Sequence, residues 1–214
     1  MSASAFKQSS GVAVTDSLRM RLRMVTQTDH DRLESLMESL DFAVTLENYK
    51  SLLLLLLGFH RPLDALLLAL DWSETGLNLK QRCKSHLLIA DLTQLGVDSN
   101  AITRAHNCTR LPSARTIPEA VGVLYVLEGS TLGGQLVSRR VKSELGISEA
   151  SGGSFFFAYG GRTGEMWRGF IEVLERHGRD PAASHLVESS ALQTFQLLSA
   201  WIGDAVVGPR SVDT

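Results

Sequence analysis

Tyr125-Val126-Leu127-Glu128-Gly129-Ser130-Thr131-Leu132-Gly133-Gly134-Gln135 has the apolar spacing of a helix, yet it holds three glycines within six residues. Each glycine inside a helix costs about 1 kcal/mol relative to alanine, so this stretch carries a sizeable local penalty. Gly129 and Gly133 are four residues apart and share one helix face, and Gly122, seven before Gly129, lies on it too. Something must approach the backbone closely along that face. Spacing alone leaves two occupants open: a second helix packed through small residues, or a flat, rigid ligand on a helix bent at its glycines.

The rest of the chain also reads helical. Pro118 opens the glycine-bearing helix, which runs from Glu119 to about Leu145 and is closed by Gly146. Leu18, Leu22, Val25, Leu33, Leu36 and Leu40 recur at three- and four-residue spacing, with Thr15, Asp16 and Ser17 as caps before them. A helix from near Thr45 passes through Leu52–Leu57 and is expected to break at Gly58 and Pro62, with Pro62 opening a short helix through Leu70. Cys83 to Leu95, closed by Gly96, makes another. Two more follow the turn-like Gly152-Gly153 and Gly160-Gly161, over about 164–177 and 183–206. Ser154–Tyr159 is the sole candidate strand. The expectation is an all-α single domain of about seven or eight helices over 16–207, with a flexible arm at 1–15 and a loose tail at 208–214.

Among the 214 residues, 44% are hydrophobic and 21% charged, which excludes a disordered or fibrous chain. A net charge of −2 gives no electrostatic reason to expect nucleic acid as a partner. Cys83 and Cys108 stand far apart with no C-x-x-C, against a disulfide framework, a thiolate zinc site or covalently attached haem; a reducing, cytoplasmic setting is expected. Leu52–Leu57 is too short an apolar run to span a membrane, so it is read as a helix sandwiched between others. Residues 1–15 lack the apolar core of a secretory signal.

None of the six histidines has another at i+3 or i+4, and Glu-x-x-His is absent, so neither a di-iron bundle nor a zinc protease helix is expected. His30 lies about 80° round the first helix from Leu22, at the edge of the apolar stripe. That placement suits a single imidazole facing an apolar pocket, or a partly exposed histidine beside solvated charges. Glu34, one turn on, can take up the other ring N–H directly or through water, setting the tautomer. Arg23 lies on nearly the same face, ~10.5 Å along the axis. Asp29 faces nearer the centre of the stripe and is read only as a paired, partly buried carboxylate.

Leu22-Arg23-x-x-Thr26-x-x-x-His30-x-x-Leu33-Glu34, Tyr125-x-x-Glu128-Gly129-Ser130-x-Leu132-Gly133-Gly134, and Phe156-x-x-Tyr159-Gly160 followed by Trp167-Arg168 occur in that order. In this the chain, from about Leu18 to Leu198, resembles the haem oxygenases, most of all the bacterial kind found alongside bacteriophytochromes. The resemblance implies a helical bundle that holds haem b between a proximal helix and a kinked distal one. It implies His30 as the axial iron ligand with Glu34 behind it, Arg23 and Arg168 at the propionates, and Gly129, Ser130 and Gly133 on the oxygen side. The reaction implied is haem, three O2 and seven electrons giving biliverdin, CO and Fe2+. Electrons would come from an external donor such as a ferredoxin or reductase, and biliverdin would pass to a bacteriophytochrome. One departure stands out: Ser130 occupies a position where many relatives carry Asp, the residue that organises a proton-delivering water. The competing reading is accordingly a haem-binding or haem-sensing module with little turnover.

Overall fold

Ser17 opens α1 (Leu18–Ser39), its side chain accepting the Met20 N–H as an N-cap should. The computed structural model describes residues 17–207; the expected arm at 1–15, with Asp16, and the tail at 208–214 lie outside the described residues. Leu18, Leu22 and Thr26 form the buried stripe of α1, and Thr26 is accommodated there by donating its hydroxyl to the Leu22 carbonyl at 2.7 Å. Val25, expected in that stripe, is instead 44% exposed, so the buried face is narrower than the leucine spacing implied.

The leucine block lies in α2 (Leu46–Leu68), capped by Thr45. Contrary to the expected break, α2 runs on through Gly58 and Pro62. Proline removes the N–H that would bond the carbonyl four residues back. Here that carbonyl, Gly58 O, accepts the Cys108 N–H at 2.8 Å instead. Gly58 is needed for the approach, because a Cβ there would stand 2.2 Å from the His106 carbonyl oxygen. Gly58 and Pro62 thus make a notch for the 106–108 segment within one helix.

The remaining helices are α3 (Ser85–Gln94), α4 (Ser99–Thr103), α5 (Ile117–Leu145), α6 (Ser154–Phe157), α7 (Thr163–His177) and α8 (Pro181–Val207), joined in places by 3-10 turns. Thr116 and Glu119 form a capping box at the start of α5, and Gly146 ends it at φ 69° with its N–H on Lys142 O. The Ser113 hydroxyl, ahead of the backbone N–H groups of Arg115 and Thr116, holds the Glu119 carboxyl below the usual range. The candidate strand at Ser154–Tyr159 is helical over its first four residues. The Asp91 carboxylate accepts the Ser154 N–H, the Ser154 hydroxyl and the Phe155 N–H, a cap supplied from 63 residues away that local pattern could not reveal.

α1 and α5 both pack chiefly against α8. Leu52, Leu53, Leu56 and Leu57 enter one core cluster with Tyr49, Leu88, Leu92 and Phe156, while Phe59, Leu63 and Leu67 enter another with Leu22, Leu124 and Phe170. The sandwiching expected of the leucine block is therefore met. α2 and α5 are long and apolar enough to cross a membrane by length and composition, but 56% of each apolar window is buried inside the fold.

His60, on α2, is fully buried beside the Phe155 ring, and its Nδ1 has no hydrogen-bond partner among the described residues. Burial pushes its pKa down from 6.5 to about 4; Asp64 opposes this and Lys84 adds to it. The group stays neutral in the fold while the unfolded chain takes up a proton below 6.5, so its contribution is intact above 6.5 and is lost as pH falls towards 4. The unfolding free energy from urea titrations should decline across that window, by at most about 1.4 kcal/mol per pH unit for this one proton. His60→Gln should flatten the decline; an equally steep one in the variant would assign it to other groups.

Candidate functional site

The three glycines of one α5 face meet different surroundings. A Cβ on Gly122 would stand 2.3 Å from the Val187 carbonyl oxygen and 2.9 Å from the Ser190 Cβ, so here α8 lies on the backbone. Two turns along, a Cβ on Gly129 would meet only the edge of the Trp167 ring, at 3.9 Å. Another turn on, at Gly133, no described residue lies within 4 Å. Gly134, round the helix, backs onto the Phe156 carbonyl oxygen at 3.2 Å. Helix packing therefore accounts for Gly122 and Gly134 but leaves Gly129 and Gly133 without a partner that requires glycine among the described residues. Leu132 and Leu136 are exposed close by, at 43% and 66%.

α1 and α7 border this face. Trp167 is tilted against Tyr125 of α5, with ring centroids 6.1 Å apart, and the Arg19 guanidinium of α1 lies 5.9 Å from the Trp167 ring. Burial raises the Tyr125 phenol above its ordinary pKa, while a Thr26 hydrogen bond and the charges of Arg19 and Arg23 pull it back. The structure thus brings Thr26 and Arg23 of α1 to the helix that carries Gly129. Two turns further along α1, the His30 ring packs edge-on against Phe195 of α8, centroids 5.9 Å apart, with its side chain 48% exposed.

His30 Nδ1 stands 3.7 Å from Glu34 Oε2 and 3.7 Å from Asp31 Oδ1, beyond direct hydrogen-bond range. Asp31 also accepts the Gln27 amide at 2.6 Å, and either carboxylate is placed to take the ring N–H through one water. With Nδ1 turned towards carboxylates, Nε2 is the nitrogen left for a metal. Asp29 is half-buried. Arg168 is exposed on α7, one residue beyond Trp167, with its Nη1 3.5 Å from where a Gly164 Cβ would be. Ser130 is exposed and donates its hydroxyl to the Leu127 carbonyl at 2.8 Å. α5 is assigned as unbroken helix through the glycines.

A feature not anticipated from sequence lies directly beneath Gly129. The Glu128 carboxylate, 1% exposed, takes Arg82 Nη1 on one oxygen, and Lys84 Nζ at 2.9 Å and the Tyr159 hydroxyl at 2.7 Å on the other. Burial and the Glu128 charge push the Tyr159 phenol far above its ordinary pKa. Arg82 follows the 3-10 turn Leu79–Gln81 and Lys84 immediately precedes α3, at the start of the helix expected from Cys83, where nothing in the spacing pairs either with Glu128. The detectable clue was Glu128 itself, a carboxylate on the apolar side of a helix.

A planar, largely apolar ring system with a central metal fits what is present. One imidazole stands exposed at an apolar edge, two glycines keep a helix backbone bare, and Arg23 and Arg168 stand exposed on the bordering helices.

A family profile described as heme oxygenase matches residues 16–204. The chain is 25% identical over 175 residues to heme oxygenase PigA of Pseudomonas aeruginosa, covering 82% of this chain and 86% of that one. Its fold is similar to that of the NO- and CO-bound heme oxygenase from Neisseria meningitidis, with a TM-score of 0.78 at 21% identity, over 92% of this chain and 96% of that one.

The contrast between the glycines can be tested without any ligand. Gly133→Ala should raise the stability of the apoprotein by roughly 0.5–1 kcal/mol, since the added methyl meets only solvent and helix propensity improves. Gly122→Ala should lower it by about 1–3 kcal/mol through overpacking against α8. Thermal unfolding of both variants checks this, and the opposite ordering would contradict the assignment of the two faces.

Proposed function

Because the chain belongs to the haem oxygenase family, we infer that His30 and the bare Gly129–Gly133 face clasp haem, which the enzyme degrades with O2 and external electrons to biliverdin, CO and Fe2+. The single observation that carries the site assignment is that Gly129 and Gly133 have no neighbour demanding glycine among the described residues, while Gly122 on the same face does. Haem, when bound, supplies both the iron that activates O2 and the meso carbon that is oxidised.

The protein's own groups do the rest. His30 offers Nε2 to the iron while Glu34 holds the Nδ1 proton through water, keeping the neutral imidazole oriented. An imidazole donates less electron density than a thiolate, which suits chemistry in which the O–O bond must not break early. Gly129 and Gly133 let the α5 backbone come within contact of the oxygen side, a distance at which any methyl would tilt or displace what lies there. Arg23 and Arg168 hold the propionates.

Ser130 differs from the carboxylate found there in many relatives. Its proton is committed to Leu127 O, so the hydroxyl can accept one water but cannot gather several. Proton delivery then falls to waters held by backbone carbonyls near Gly129. The same observation favours the second reading, a haem-binding protein with slow turnover, and one experiment separates the two. With one reductant, O2 and catalase, the Soret band should disappear and the pigment should chromatograph as biliverdin. Persistent haem would establish the binding module instead. The expected physiological setting is cytoplasmic, with a ferredoxin or reductase as donor and a bacteriophytochrome as acceptor of the pigment.

Two substitutions follow. His30→Ala should abolish the histidine-ligated haem spectrum, and added imidazole should restore it; an unchanged spectrum would place the iron on another residue. Ser130→Ala should keep at least roughly a tenth of the rate of biliverdin formation, a barrier rise of no more than about 1.4 kcal/mol. A loss of a hundredfold or more with haem binding intact would make Ser130 itself the proton relay.

A further inference from the structure

The guanidinium of Arg82 reaches two helices at once. Its Nη1 bonds the Glu128 carboxylate, one residue before Gly129 on α5, and its Nη2 bonds the Met166 carbonyl at 3.2 Å, one residue before Trp167 on α7. Trp167 is the residue whose ring edge faces Gly129. The two surfaces that border the oxygen side, the bare backbone of α5 and the indole of α7, are therefore tied to one another through a single side chain beneath both. Arg82 is 6% exposed, and its far side borders a cavity of about 390 Å3 lined also by Gly76, Gln81, Glu172 and Arg176. Its position is thus set more by these hydrogen bonds than by close packing on every side. The Lys84 ammonium and the Tyr159 hydroxyl complete the cluster, bonding Glu128, the Arg82 carbonyl and each other, with no hydrogen bond to α7 among the described residues.

We propose that Arg82 is a positioning residue for regioselectivity: by clamping Glu128 of α5 to the Met166 carbonyl of α7, it sets where the Trp167 ring stands against Gly129, and so which porphyrin meso edge faces the oxygen side. The proposal rests on the haem oxygenase reading above. A planar fork can serve a carboxylate and a carbonyl on different helices together, whereas an ammonium on a flexible stem is a single point of contact. Arg82→Lys therefore keeps the charge opposite Glu128 and gives up the bridge. A ring displaced by even a fraction of its width changes which in-plane orientation of the substrate fits.

The test has one arm without haem and one with it. Incorporation of 5-fluorotryptophan gives three 19F resonances, from Trp72, Trp167 and Trp201. In the apoprotein, Arg82→Lys and Glu128→Gln should both shift the Trp167 resonance while that of Trp201, held by its Nε1 bond to Leu55 O on the far side of α8, stays put. Tyr159→Phe removes one hydrogen bond from Glu128 and one from Lys84 without touching the bridge, and should leave Trp167 in place. With haem, reductant and O2, the wild type should give one biliverdin isomer and Arg82→Lys a mixture, with Tyr159→Phe like the wild type. An unmoved Trp167 resonance in Arg82→Lys, an equal shift in Tyr159→Phe, or a single unchanged isomer in Arg82→Lys would each overturn the proposal. Should the wild type leave haem intact, the functional reading fails, while the 19F arm still decides whether Arg82 links the two helices.

Discussion

A carboxylate at the centre of the fold, Glu128, is taken from water and can be accommodated only because Arg82, Lys84 and Tyr159 reach it. These partners come from the turn before α3 and the loop after α6, and Arg82 extends to α7. One ion-pair cluster thus joins the middle of α5 to everything on one side of it. Removing either partner of such a buried pair costs about 3–5 kcal/mol, more than any single contact on the open side of α5 could return. The cluster holds α5 from below and α8 covers its Gly122 end, which leaves the stretch at Gly129 and Gly133 free of contacts that need glycine among the described residues.

That freedom shows in the glycines. At Gly122 the helix uses the absent side chain for close approach to α8, and at Gly134 for approach to α6. At Gly129 and Gly133 the helix accepts the propensity penalty with no packing return from the described residues. A local penalty without a structural gain is what a ligand-facing backbone would require, and the imidazole of His30 on α1 is the group proposed to complete that site. α1 and α5 are held by α8 and bordered by α7, an arrangement suited to grip a planar substrate on both faces.

The helices bearing the site were legible because their signals are local: Ser17 before α1, the Thr116–Glu119 capping box with Pro118, and Gly146 after α5. Spacing marked out His30 with Glu34 and the glycines at 129 and 133 but left their roles open; the proposed roles came only with the three motifs in order. What escaped the sequence depends on distant partners. Pro62 looked like a helix start, yet the Cys108 N–H replaces the bond it removes. Ser154–Tyr159 looked like a strand, yet Asp91 caps it as a helix. Gly122 and Gly133 read alike, since nothing in their spacing tells that α8 covers one and not the other. The Arg82–Glu128–Lys84 cluster was invisible for the same reason: its members lie 44 and 46 residues apart in the chain.

The central claim is that haem lies between His30 and the bare face of α5, and a crystal structure of the haem-loaded protein tests it most directly. The account predicts iron bonded to His30 Nε2, with one porphyrin face against the backbone at Gly129 and Gly133. Iron on any other histidine, or a porphyrin seated away from those glycines, would contradict it.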